Sequence, residues 1–181
     1  MNNTLALATV AVLAAACGAM QSQMSEGRAS DGMRAVASLE PTKGNQTAGT
    51  VTFTQQGGKV LVNARLSGLK PNAEHGFHVH EKGDCSSGDG MSTGGHFNPD
   101  GKAHGQGGGT APHHAGDMPN LKADAAGNAS ASFSLGTMSV GSGASDVVGR
   151  GLIVHASADD YKTQPTGNAG ARLACAVIRR A

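Results

Sequence analysis

The sequence predicts an all-β domain, an antiparallel sandwich or barrel, on three observations. From Arg34 onward apolar and polar residues alternate in short runs, no segment of useful length carries a helical period, and 28 glycines supply turns and irregular loops. With no Trp, one Tyr and four Phe, the core has to be built from Val, Leu, Ile and Ala.

The strands are expected at Ala35 to Leu39, Gly49 to Thr54 and Lys59 to Leu66, with Gln55-Gln56-Gly57-Gly58 as a turn. In the third run Val60, Val62, Ala64 and Leu66 share one face, opposite Leu61, Asn63 and Arg65. His75 to His80 reads as the next strand. Ala129 to Leu135 alternates so regularly that one face must be apolar and the other hydroxylated, and Gly151 to His155 and Arg172 to Arg179 complete the set. Two long irregular segments interrupt it, Glu81 to Ala126 and Ala156 to Ala171. Loops of that size in a compact domain are usually functional or disordered, and the first holds several potential metal ligands, which favours function.

Residues 1–16 read as an export signal: Met1-Asn2-Asn3-Thr4, then an apolar run from Leu5 to Ala16 that is too short for a comfortable membrane span. The n-region lacks Lys and Arg. Leu13-Ala14-Ala15-Ala16-Cys17 resembles a bacterial lipobox stretched by one residue, which would make Cys17 the lipidated first residue of the mature chain; cleavage to a free periplasmic protein is the alternative. Residues 17–32 are expected to be a lipid-anchored or flexible tether, and 33–181 the folded domain. Those roughly 150 residues suit one domain able to bury about 70% of its unfolded surface. A net charge of +1, from 14 basic and 13 acidic residues with no long like-charge block, gives no reason to expect nucleic acid as a partner. If Cys17 is lipidated, Cys85 and Cys175 remain either as a pair in an oxidising compartment or as two buried thiols. A disulfide closing a loop of that length contributes about 4 to 5 kcal/mol in the chain-entropy model.

Seven of the eight histidines fall between His75 and His114, and the eighth, His155, lies in the apolar run Leu152-Ile153-Val154-His155. In Gly76-Phe77-His78-Val79-His80 the two outer histidines share one strand face while Phe77 and Val79 share the other, so one face can hold a metal and the other can feed a core. On its own this pattern suits hydrogen-bonded histidines equally well. Downstream come Gly94-Gly95-His96-Phe97-Asn98-Pro99, His104, and His113-His114-Ala115-Gly116-Asp117. Imidazoles suit copper and zinc, and one carboxylate among histidines is a common zinc-site composition.

With Gly149-Arg150-Gly151-Leu152-Ile153-Val154-His155 and Gly167-Asn168-Ala169-Gly170-Ala171-Arg172-Leu173-Ala174-Cys175, these motifs resemble those of the bacterial, periplasmic copper-zinc superoxide dismutases, in order, from Met33 to Ala181. The resemblance implies a Greek-key β-sandwich or flattened β-barrel of about eight antiparallel strands with two long functional loops. It implies one copper per subunit bound by His78, His80, His96 and His155, and one zinc bound by His96, His104, His114 and Asp117. The implied reaction is dismutation of superoxide to oxygen and hydrogen peroxide, protecting the cell envelope. His96 would bridge both metals because an imidazolate alone presents two nitrogens to two cations, and it would store a proton when released from copper. Arg172 resembles the arginine that attracts and orients the anion beside copper, and Thr166 the threonine that narrows the channel. Asp159 resembles the carboxylate joining His78 to His104, with Asp160 the neighbouring alternative. Cys85 and Cys175 fall where the family has its intrasubunit disulfide.

His75 is expected to bond backbone groups near the sheet, and His113 to be a loop residue. The longer Ser86–Met91 loop and the lack of a charge-rich guiding segment in 156–171 separate the chain from the common eukaryotic form, so subunit contacts, homodimer or monomer, do not carry over. A non-enzymatic copper-zinc buffer or copper-delivery protein on the same fold is the competing reading. It would need neither a complete bridged site nor Arg172.

Overall fold

A computed structural model describes residues 32–181; the expected signal segment, Cys17 and all but the last residue of the tether lie outside the described residues. The described residues form ten strands: β1 Arg34–Pro41, β2 Ala48–Gln56, β3 Lys59–Ser67, β4 Glu74–His75, β5 Phe77–His80, β6 Leu121–Lys122, β7 Ala129–Leu135, β8 Gly151–His155, β9 Arg172–Val177 and β10 Arg179–Arg180. One short 3-10 turn, Met91–Thr93, is the only helix among the described residues.

Eight strands make one curled antiparallel sheet in the order β5-β8-β9-β1-β2-β3-β7, with β10 also on β1, while β4 and β6 pair separately. The curl lets one sheet supply both layers of a sandwich, as expected for a Greek-key barrel. β1 joins the layers, its Arg34 to Leu39 pairing with β2 and its Glu40 and Pro41 with β9. Between them lie Ala37, Val51, Phe53, Val62 and Ala64 from one layer and Phe77, Val79, Leu152, Val154 and Ala176 from the other, all buried. β3 follows the expected alternation, and in β7 Ser130, Ser132 and Ser134 are exposed between apolar neighbours.

The structure differs from the expected strands in three places. The run His75 to His80 is divided at Gly76, because Ala169 of the second long segment packs there: a Cβ on Gly76 would lie 2.7 Å from that of Ala169. β4 then turns to pair with β6, a strand too short to show a period. The last run is divided at Ile178, whose N–H donates to Arg150 O and whose carbonyl accepts from Gly149, although β9 and β10 keep one register against β1.

β5 and β8 matter most for function, because every residue of both is buried. Phe77, Val79, Leu152 and Val154 enter the core. Their period of two leaves His78, His80 and His155 on the opposite face, beneath the long segments.

Candidate metal centre

The first long segment covers that face by pairing its backbone with β5. Val79 N–H donates to Gly116 O at 2.9 Å, Phe97 N–H to Val79 O at 2.9 Å and Glu81 N–H to Gly95 O at 3.0 Å. This brings His96 opposite His80 and Asp117 opposite His78 as isolated bridges. Gly116 has to be glycine, since a Cβ there would overlap Val79 O.

Four imidazoles meet over the face. His78 Nε2 donates to Asp159 Oδ2 at 2.7 Å, His80 Nδ1 to Gly94 O at 2.9 Å and His155 Nδ1 to Gly170 O at 3.1 Å. With those nitrogens occupied, His78 Nδ1, His80 Nε2, His155 Nε2 and His96 Nε2 are buried without a hydrogen-bond partner among the described residues. The ligand atoms of this group lie within 4.8 Å of one another. An unsatisfied buried polar atom costs about 1–3 kcal/mol, so four convergent ones fit a bound cation. Burial, reinforced by neighbouring positive groups, holds His80 well below its usual pKa and takes His155 to about 3. Burial likewise brings His96 to about 4 against the pull of Asp117. These rings are therefore neutral and free to ligate at neutral pH.

His96 turns its other nitrogen to a second cluster. Nδ1 of His96, His104 and His114 lies 2.8, 3.0 and 3.3 Å from Asp117 Oδ1. Asp117 Oδ2 accepts Gly105 N–H at 3.0 Å and His114 N–H at 2.9 Å. Burial alone would raise this carboxyl, but bonds from His104, His114 and His96 hold it far below its ordinary value. Burial also opposes charge on His104, yet its bonds to Asp117 and Asp159 carry it up to about 9. In the metal-free protein His104 thus donates from both nitrogens, and a cation binding at Nδ1 displaces a proton.

Asp159 joins the clusters, its Oδ2 taking His78 and its Oδ1 taking His104 at 2.9 Å. Gly167 (φ +67°) passes so close that a Cβ would overlap Asp159 Oδ1. Arg172, half-buried, donates to Gly90 O at 2.6 Å, Thr93 Oγ1 at 2.7 Å and Gly94 O at 2.8 Å. Gly94 O therefore holds both Arg172 and His80. Thr166 is half-buried just before Gly167. The disulfide Cys85–Cys175 ties the first long segment to β9, three residues beyond Arg172.

The remaining candidates fall outside both clusters. His75 is buried and donates from Nδ1 to His155 O at 2.8 Å, and His113 Nε2 accepts Gly108 N–H at 3.0 Å. Asp160 is exposed and caps Lys162 and Thr163. Sequence reasoning missed Gly90, Thr93, Gly94, Gly170, Asn120 and Tyr161. The three that act through a carbonyl, Gly90, Gly94 and Gly170, use a group every residue possesses, so no residue type marks them.

A family model described as copper/zinc superoxide dismutase (SODC) matches residues 47–178. The chain belongs to that family. It is 44% identical over 151 residues to "Superoxide dismutase [Cu-Zn]" of Paramecium bursaria Chlorella virus 1, covering 80% of this chain and 76% of the relative. It is 40% identical over 154 residues to "Superoxide dismutase [Cu-Zn] 2" of Aquifex aeolicus (strain VF5), covering 83% and 89%. With the Schizosaccharomyces pombe (strain 972 / ATCC 24843) enzyme the identity is 43% over 154 residues, covering 81% and 97%. Among solved structures, the crystal structure of the clock protein EA4 is similar with a TM-score of 0.73 and 42% identity, covering 83% of this chain and 95% of that one. Two buried clusters sharing His96 match the histidine-bridged copper and zinc sites of superoxide dismutases, and the chain is an enzyme of that class.

Proposed function

We propose that this chain dismutates superoxide to oxygen and hydrogen peroxide in the bacterial periplasm or cell envelope. Copper would be held by His78, His80, His96 and His155, and zinc by His96, His104, His114 and Asp117. The observation that carries this reading is the shared ring: His96 presents Nε2 to the four-imidazole cluster and Nδ1 to the cluster with Asp117. Four imidazoles suit copper, and three imidazoles with one carboxylate suit zinc.

Bound copper supplies one-electron redox chemistry, and bound zinc a fixed charge without redox change. His96 Nε2, buried without a partner, would be the atom that holds a proton when no metal binds it and could pass that proton to the reduced substrate. Arg172 places a fixed positive charge beside His80 through their common Gly94 carbonyl, attracting and orienting the anion. Thr166 narrows the approach. Asp159 fixes the tautomers of His78 and His104, as a carboxylate behind metal-bound imidazoles does. A metal buffer would have no use for an arginine pinned by three hydrogen bonds at the site.

Metal analysis and superoxide-dismutation assays of the intact protein and of His155→Ala test this reading. One copper and one zinc per chain with activity are expected, with copper and at least roughly a hundredfold of activity lost in the variant. Full occupancy without activity contradicts it. Export is supported by the 1–16 segment and by the disulfide, which belongs to an oxidising compartment. Mass spectrometry of the exported form is expected to show lipid on Cys17; an unmodified chain starting beyond it excludes the anchor. Sedimentation of the exported protein decides between homodimer and monomer.

A further inference from the structure

Two side-chain amides exchange partners between the long segments. Gln164, in the second segment, accepts His104 N–H through Oε1 at 2.8 Å and donates from Nε2 to His104 O at 3.0 Å. Asn120, in the first, does the same to Asp159, accepting its N–H through Oδ1 at 3.0 Å and donating from Nδ2 to its carbonyl at 3.0 Å. The two residues so held, His104 and Asp159, are themselves bonded side chain to side chain at 2.9 Å. An amide bonded to both the N–H and the C=O of one residue sets its position and its rotation together, as a neighbouring strand does.

We infer that Gln164 is a positioning residue for the zinc cluster. It fixes the backbone of His104 so that Nδ1 faces Asp117 while Nε2 faces Asp159. Only a primary amide of this length supplies the donor and the acceptor at once: a carboxylate would face the His104 carbonyl with a second acceptor, and a shorter amide would not reach. Gln164 is exposed, so its hydrogen bonds rather than its burial are what it contributes. Tyr161 completes the arrangement, taking Asn120 N–H on its hydroxyl at 2.8 Å and donating its own N–H to Asp159 Oδ1 at 2.7 Å. As the only tyrosine of a chain without tryptophan, it reports on the contact between the segments by its fluorescence.

The inference rests on the zinc assignment proposed above, and the experiment separates the two. Zinc release into excess chelator, the visible spectrum of Co(II) in the zinc cluster, Tyr161 fluorescence and the thermal midpoint of the metal-free protein are compared for wild type, Gln164→Ala and Gln164→Glu. Roughly tenfold faster zinc release is expected in Gln164→Ala, with an altered Co(II) spectrum and a shifted Tyr161 emission. The metal-free midpoint should stay within about 2 °C, as for an exposed position. Gln164→Glu keeps the acceptor alone and should fall between, and it decides the matter if the alanine variant fails to fold. Release and Co(II) spectra identical to wild type in the folded variants overturn the positioning role, as does a loss of midpoint that accounts for the faster release. A wild type that takes up neither zinc nor Co(II) at Asp117 overturns the zinc assignment instead, and the inference with it.

Discussion

The two clusters that share His96 are built on opposite physical plans. In the four-histidine cluster three rings stand on strands β5 and β8, no carboxylate is among the converging ligand atoms, and four nitrogens are left without partners. In the other cluster the rings of His104 and His114 hang on loop; Asp117 Oδ1 takes hydrogen bonds from His96 and His104, and His114 Nδ1 lies 3.3 Å from it without one. The first stands on paired strands and lacks partners for its inward ring nitrogens; the second stands on loop and is held together by the bonds to Asp117. A rigid frame suits a metal whose ligands have to stay put while one bond is exchanged. A self-paired loop suits a metal whose task is to keep His96 and the loop in place.

Asp117→Asn should break the contrast most severely. The substitution removes the one anionic ligand of the cluster, so zinc affinity by competitive chelation should fall by more than roughly a hundredfold while the strand-borne histidines still bind copper. Equal loss of both metals would mean that the clusters do not differ as described. Asp159→Asn touches both at once, because its two oxygens serve His78 and His104. Roughly ten- to a hundredfold weaker binding is expected at each cluster by titration calorimetry, and a change at one alone would show that the carboxylate does not couple them.

The smallest effect is on the pH dependence of the metal-free protein. His104, raised to about 9, contributes stability that is complete below its unfolded value near 6.5 and is lost as pH rises through 9. His80, His96 and His155 are lowered, so their contribution is complete above about 6.5 and is lost as pH falls, for the last two toward about 4 and 3. Asp117 and Asp159, also held low, add to the loss below about pH 4. The thermal midpoint of the metal-free chain should therefore peak between roughly pH 6 and 7 and fall more steeply on the acid side, where five groups act against one. A midpoint that keeps rising to pH 9 would remove His104 from the ion-paired cluster.

The strand-borne half of the site was the more legible in the sequence. Period-two alternation puts His78 and His80 on one face and Phe77 and Val79 on the other; the structure places the first pair in the histidine cluster and the second in the core. His155 was recognisable from an apolar strand ending in a histidine. The order of His96, His104, His114 and Asp117 was legible only through resemblance to a family, since a loop has no period to read. What holds the loops was not legible at all. Gly94 and Gly170 act through carbonyls, Gln164 and Asn120 through amides that grip peptide groups, and Gly167 through the side chain it lacks. The break at Gly76 depends on Ala169, over ninety positions away along the chain, which no local pattern contains.

The central claim is that one ring, His96, joins two metals. Loading the zinc-free protein with copper at both clusters and recording its electron paramagnetic resonance tests this most directly. Two copper(II) ions on opposite nitrogens of one imidazolate couple magnetically, so the ordinary copper signal should weaken as the second site fills, and His96→Ala should restore two independent signals. Two full-strength, uncoupled signals from the unaltered protein would contradict the bridge.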